Sequence, residues 1–494
     1  MTKIWTVGAI QAALARGDTT AVALAEQSLA AIAAQDGRFN AMLYLNPDLM
    51  EDARAIDRRR ASGEAVGPLA GVPVLVKDTM DMAGLPSTGG WAPLSAKAGG
   101  TDLIPTRDSA VVARMRAAGA LLIGKTNVPI MSASGTNANN SWAGPTLNAF
   151  APDLAPGGSS AGSATGVAAD YAVIGLAEET GGSIQNPAAA QNLVGIKPTF
   201  GLVPNSGVIP LAVSTRDVVG PVARTVRDAA IALDVLAGYT SADPKTIAGV
   251  GRRPLTGYAG SLMPGALRGK RLGLYGPGWR RDAPLSAGAE ALYSESMETL
   301  RSLGAELVAD PFAGSGFADL ALIGPTGFDE RGCESVVYDL ERYLTAFGPG
   351  SAIRSIDSLK RVTGADPFDR AGVLGFMWDL PEFAHLVAHC AEPPDLSAFM
   401  ALREAYLHLF NGVMEAADLD AMVMPQAQEE TPPLFSTVPI RETAVSEINI
   451  AGLPGVTVPA GAYPSGSAFG LLFVGRMWSE GSLLAFAADY EAAR

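Results

Sequence analysis

The chain has 494 residues, 48% of them hydrophobic and only 17% charged, a balance that excludes intrinsic disorder, which needs low hydrophobicity and high charge. Its formal net charge of −14 excludes a general nucleic-acid binder, which needs a basic face to displace counterions. Two cysteines, Cys333 and Cys390, exclude a disulfide framework and fit a reducing compartment. Glycine is in excess, 56 residues, so where the glycines gather is the first question.

At the N-terminus, Arg16 and Asp18 break the apolar stretch that a signal peptide needs. Nowhere do about 18 apolar residues run without a charge. The expectation is a cytoplasmic protein with no membrane segment. Apolar residues recur at helical spacing over 7–35, which predicts a helix. Val72, Val74, Leu75 and Val76 form a short apolar run closing on Lys77, the pattern of a buried strand. A helix is predicted over 109–118, with Ser109 as its N-cap and Gly119 closing it. Strands follow at 121–123 and 172–177, and Thr225 with Asp228 reads as the cap of a helix over 226–236. Strands alternating with helices predict an α/β fold around a largely buried sheet. Residues 240–400 differ in character, with longer helix patterns at 284–302 and 331–347 and both cysteines. They read as a helical elaboration covering one face of the core. Strand patterns return at 420–425 and 454–459. The chain therefore re-enters the same mixed sheet, and one large domain is expected rather than several: a core over about 70–230, the elaboration over about 240–400, and a return over about 415–494.

The glycines concentrate, with serines, in 156–186: PGGSSAGSATG, an apolar stretch, then EETGGSIQN. Two Gly-Gly-Ser units place Ser159 and Ser183 24 residues apart. Glycine allows backbone shapes and close approaches that a Cβ forbids. Two such loops can bring two serines and several free N–H groups together. They can equally cradle a phosphate or form two tight turns, and spacing alone leaves both readings open. Gly158–Gly162 formally matches the G-x-S-x-G nucleophile elbow, but that elbow follows a strand directly, and Pro152 and Pro156 precede it here. No serine lies three residues before any lysine, and no P-loop is present. The histidines are His385, His389 and His408. His385 and His389, with Cys390 beside them, have a spacing that suits zinc, but the Glu of H-E-x-x-H is missing. Surface or core histidines are the simpler reading, and no metal or other cofactor is expected. A hydrolase without an available histidine needs another base, and lysine is the obvious one.

At these residues the sequence resembles the amidase signature family of serine hydrolases. The matching segments are GVPVLVKD at 71–78, GKTN at 124–127, PGGSSAGS at 156–163, ETGGSI at 179–184, GIKPTFGLVP at 195–204, residues 214–228, and INIAGLPGVTVPAG at 448–461. Their order and spacing agree over nearly the whole chain. The resemblance implies a Ser-cisSer-Lys triad: Ser183 as nucleophile, Ser159 as the bridging serine behind a cis peptide, and Lys77 as base. It also implies an oxyanion hole formed by the N–H groups of Thr180, Gly181, Gly182 and Ser183. Two positions depart from the family pattern. Glu179 stands where Asp is usual and Gln185 where Arg is usual, so a hydrogen bond would replace a salt bridge in bracing the nucleophile loop. Met131 and Ser132, in the segment 131–135, are expected to contact substrate. Trp142, Phe150, Tyr338, Phe376, Met377 and Trp378 are expected to line a pocket or to pack as core. The expected substrate is a small molecule, a mid-sized uncharged or aromatic amide, with esters and carbamates also open. A homodimer is left open. The alternatives are a glutamine amidotransferase subunit of the tRNA-dependent type and a non-catalytic binding protein of the same fold.

Overall fold

The computed structural model describes residues 6–133, 135–320, 332–380 and 382–494. Its strands are β1 (Met42–Leu45), β2 (Pro73–Lys77), β3 (Leu121–Thr126), β4 (Ile174–Glu179), β5 (Val194–Lys197), β6 (Val218–Ala223), β7 (Arg271–Leu274), β8 (Glu306–Val308), β9 (Ala421–Pro425), β10 (Gly455–Ala462) and β11 (Ala468–Val474). Among the described residues they join in one mixed sheet, ordered β1-β3-β2-β4-β6-β5-β10-β11-β9-β7-β8. β2 runs parallel to both β3 and β4, whereas β4 pairs antiparallel with β6. Every residue of β2, β3 and β4 is buried, as expected of strands covered by helices on both faces, and this is why they read as apolar runs rather than alternating patterns. The fold is a single large α/β domain, with an extended apolar cluster along the sheet and its helices and two further clusters beside it.

The helix Ala161–Ala168 (AGSATGVA) has all of Ala161–Val167 buried. Its side chains are small enough to let it lie directly against the sheet, and Ser163 Oγ donates to Leu176 O on β4 at 2.8 Å. The helix Gln185–Ala190 follows β4 and packs against β5, β10 and β11. These two short buried helices follow the two Gly-Gly-Ser loops, so both loops open at the same edge of the central strands. Among the described residues, no helix is long and apolar enough to cross a membrane.

Two expectations need correction. The helical pattern over 7–35 is two helices, Val7–Arg16 and Ala21–Phe39. Gly17 ends the first with φ +74°, and the Thr20 side chain caps the second by accepting from Ala23 N–H. Periodicity runs through this break because both helices bury the same kind of apolar face. The stretch 240–400 is not wholly helical: β7 and β8 lie within it and extend the sheet beside β9. At four and three residues, both are too short to give a periodic signal. The predicted helix over 331–347 is observed as Val336–Thr345, and residue 331 lies outside the described residues.

Candidate active site

The parallel neighbours β2 and β4 pair Val76 with Leu176, which sets Lys77 at the end of β2 beside the end of β4. Lys77 is wholly buried. Its Nζ donates to Ser159 Oγ at 2.7 Å, to the backbone O of Glu178 at 3.1 Å and to Glu178 Oε2 at 3.1 Å. Burial pulls the Lys77 amine below the ordinary lysine range, opposed by the charge of Glu178. Burial likewise pushes the Glu178 carboxyl up, opposed by Lys77. Ser160 Oγ donates to Glu178 O and accepts from Glu178 N–H, each at 3.2 Å, so the serine loop is tied to β4 on both sides of that residue.

The peptide Gly158–Ser159 is cis. Gly158 N–H donates to Asn186 Oδ1 at 2.7 Å. Gly157 has φ +81°, and a Cβ placed on it would lie 2.4 Å from Pro187 Cα. The loop of Ser159 is therefore pressed directly against the start of the helix that follows Ser183. Ser183 is 8% exposed and sits in the turn between β4 and that helix. Glu179 closes this turn: its Oε2 accepts from Ile184 and Gln185 N–H at 2.9 and 3.2 Å, and its Oε1 from Gln185 Nε2 at 2.6 Å and Asn449 Nδ2 at 2.8 Å. A carboxylate that accepts several N–H groups is satisfied without a cation, so Gln185 can stand as the partner. Thr180 Oγ1 donates to Asp217 Oδ1 at 2.6 Å, anchoring the other end of the turn. Within the described residues, the N–H groups of Thr180, Gly181, Gly182 and Ser183 find no hydrogen-bond partner. The turn thus presents free donors next to a serine, an arrangement able to receive a developing oxyanion.

Met131 is buried, and its N–H donates to Gly89 O at 2.6 Å. A few residues on, Gly135 O and Thr136 O each approach within 3.2 Å of a Cβ built on Gly158, so this segment runs along the Ser159 loop. Ser132 is half-buried in the same segment, while Ser134 lies outside the described residues. The six pocket candidates are not gathered in one place. Trp142 donates its Nε1–H to Thr88 Oγ1 at 3.0 Å and packs on Tyr44. Phe150 and Phe376 are exposed. Tyr338 packs under Arg342. Met377 and Trp378 belong to the cluster built by the helices of 333–390, which also holds Met131. His385 and His389 stack on each other, ring centroids 4.0 Å apart. Among the described residues, no group of three or more His, Cys, Asp or Glu is arranged to hold a metal ion.

Two carboxyls at the site escaped sequence reasoning. Glu178 touches Lys77. Glu442 lies beneath the turn of Ser183, its carboxyl oxygens 2.2 Å from where a Gly182 Cβ would be; burial raises its pKa well above the usual range. The signal for Glu178 was strand alternation: neighbouring side chains point to opposite faces, so if Glu179 braces one side, Glu178 must face the other.

A family model described as Amidase matches residues 23–484. A glutamyl-tRNA(Gln) amidotransferase subunit of Chloroflexus aurantiacus is 33% identical over 491 residues, covering 98% of this chain and 96% of that protein. The structure of native peptide amidase from Stenotrophomonas maltophilia superposes with a TM-score of 0.80 at 31% identity, covering 99% of this chain and 97% of that one. That of an amidase family protein from Bacillus anthracis gives 0.78 at 26%, covering 99% and 91%. Matched almost from end to end, the chain belongs to the amidase signature family and is a hydrolase of carboxylic amide C–N bonds.

Proposed function

We propose that the protein is a free-standing amidase that cleaves mid-sized, mainly uncharged amides through an acyl-enzyme on Ser183. The observation that carries this reading is the wholly buried Lys77 amine, 2.7 Å from Ser159 Oγ, on a loop locked against the turn of Ser183. A serine hydroxyl is a weak nucleophile until a base takes its proton, and a lysine is a base only when neutral, the form that burial favours. Ser183 Oγ attacks the carbonyl carbon. Its proton passes to Ser159 Oγ as the proton of Ser159 passes to Lys77. The carbonyl oxygen, now negative, is received by the N–H groups of Thr180, Gly181, Gly182 and Ser183, with the Thr180 side chain anchored on Asp217. When the C–N bond breaks, the amine leaves with a proton from Ser159, replaced from Lys77. Water then attacks the acyl-serine by the same relay. Met131, in the apolar cluster with Trp91, Ile209 and Leu211, supports an uncharged acyl group, and Ser132 stands beside it as a polar contact. Esters and carbamates present the same carbonyl and fit the same steps.

A fluorophosphonate probe should label the wild-type protein and not Ser183→Ala. An unlabelled but folded wild type would overturn the reading. A chromogenic panel of alkyl amides, anilides, esters and carbamates would then test the substrate class, and cleavage confined to charged amino-acid amides would refute it. A second reading rests on the 33% identity to an amidotransferase subunit: the chain would release ammonia from glutamine for a partner. Glutaminase activity appearing only when partner subunits are added would favour it.

A further inference from the structure

Among the described residues, Lys77 Nζ has three hydrogen-bonded oxygen partners: Ser159 Oγ at 2.7 Å, and the backbone O and carboxyl Oε2 of Glu178, each at 3.1 Å. A neutral amine has two hydrogens and one lone pair. Two of the three neighbours, the Glu178 carbonyl and carboxyl oxygens, can accept hydrogens. The third, the Ser159 hydroxyl, is the only one that must give its proton to the amine for the relay to run. The match between what the nitrogen offers and what surrounds it is one-to-one. Glu178 supplies both acceptors from one strand residue paired with Val219 of β6, so the direction of its carbonyl is fixed by the sheet.

We propose that Glu178 is a positioning residue for the base: its two oxygens take the N–H groups of neutral Lys77 and turn the remaining lone pair onto Ser159. Resting on the assignment of Lys77 as base, this has a second consequence. A carboxylate 3.1 Å from the amine also favours the ammonium form, so Glu178 sets the pH at which the lone pair becomes available. The groups facing the pair are Thr79, whose Oγ1 donates to Glu178 Oε2 at 3.3 Å, Ser159 and Ser160 from the loop, Asp217 ahead of β6, and Glu179 beside it on β4. Arg216 lies a step further off, its guanidinium 3.5 Å from where a Gly181 Cβ would be. Glu178 Oε1 has no partner among the described residues, so the side chain is held by the amine and Thr79.

The test is the second-order rate of fluorophosphonate labelling against pH for full-length wild type, Glu178→Gln and Glu178→Leu, with thermal melts as the folding control. Glutamine keeps an accepting oxygen and loses the charge. Its labelling plateau should stay within about tenfold of wild type while its rising limb moves to lower pH. Leucine keeps the bulk and loses the acceptor, so its plateau should fall about 100-fold, the low end of what a positioned base contributes. A leucine variant at the wild-type plateau, a glutamine variant as slow as leucine, or a glutamine limb that is unmoved or shifted upward would each overturn the proposal. If the leucine variant fails to fold, the limb of the glutamine variant still decides. The underlying assignment fails in a different way, by absence of labelling in wild type or by full labelling of Lys77→Ala.

Discussion

The contact between the two glycine-serine loops gives a sharp prediction through Gly157→Ala. Gly157 has φ +81°, and an added Cβ would lie 2.4 Å from Pro187 Cα, 2.6 Å from Pro187 N and 2.9 Å from Asn186 C. Ordinary carbon contacts lie near 3.5–4.0 Å, so the loops must part by about 1 Å. All three neighbours are backbone atoms and no side chain can swing away. Gly84 is the matched control: its φ is +81° as well, with nothing within 4 Å of a built Cβ. Both substitutions carry the left-handed backbone cost of about 1–2 kcal/mol, and only Gly157→Ala adds overpacking, about 1–3 kcal/mol. With an unfolding entropy of about 2.1 cal/mol/K per residue over 494 residues, about 1 kcal/mol moves Tm by about 1 °C. Gly84→Ala should thus lose about 1–2 °C and Gly157→Ala about 2–5 °C. The larger effect is on rate: a misplacement of about 1 Å between reacting groups can cost about 100-fold. Labelling by a fluorophosphonate should therefore drop about 100-fold in Gly157→Ala and be unchanged in Gly84→Ala. Equal Tm and equal labelling rates in the two variants would refute the tight docking of the loops.

Two further outcomes follow from the buried charges. Lys77→Met keeps the volume of the base and should reduce labelling of Ser183 at least about 100-fold; in wild type the rate should rise with pH and level off below the ordinary lysine pKa of 10.5, because the active form is the deprotonated one and burial lowers its pKa. A rate flat from about pH 5 to 10 would remove Lys77 from the relay. Asp81, buried and bonded to Ser87 and Tyr343, is raised by burial from 3.8 to about 6. The folded state then holds its proton to higher pH than the unfolded state does, so this group's contribution to stability is present below about pH 4 and lost as pH rises through about 6. Asp81→Asn should flatten that part of the curve of Tm against pH, and an unaltered slope would contradict the assignment.

The residues proposed to carry the chemistry are legible in the chain alone. Lys77 stands out because it ends an apolar run, and Ser159 and Ser183 because paired glycines precede each of them. The strands β2 and β9, and the first parts of β4 and β10, are legible for a related reason: buried on both faces, they are rich in apolar residues that no loop needs. Other features arise only once the chain packs. The short strands β7 and β8, four and three residues long, exist only because β9 offers them an edge. The break at Gly17 is a matter of one backbone angle. Which of the aromatics line a pocket and which pack as core is another such feature, since side-chain type does not say which face of a helix meets the site. Glu178 shows the division most clearly. Glu178 and Glu179 are adjacent acids in the sequence, and pairing β4 between β2 and β6 is what separates them. One braces the turn of Ser183 and the other meets the lysine amine. A residue type fixes what a group can do, and only the neighbours placed by the sheet fix which of those things it does.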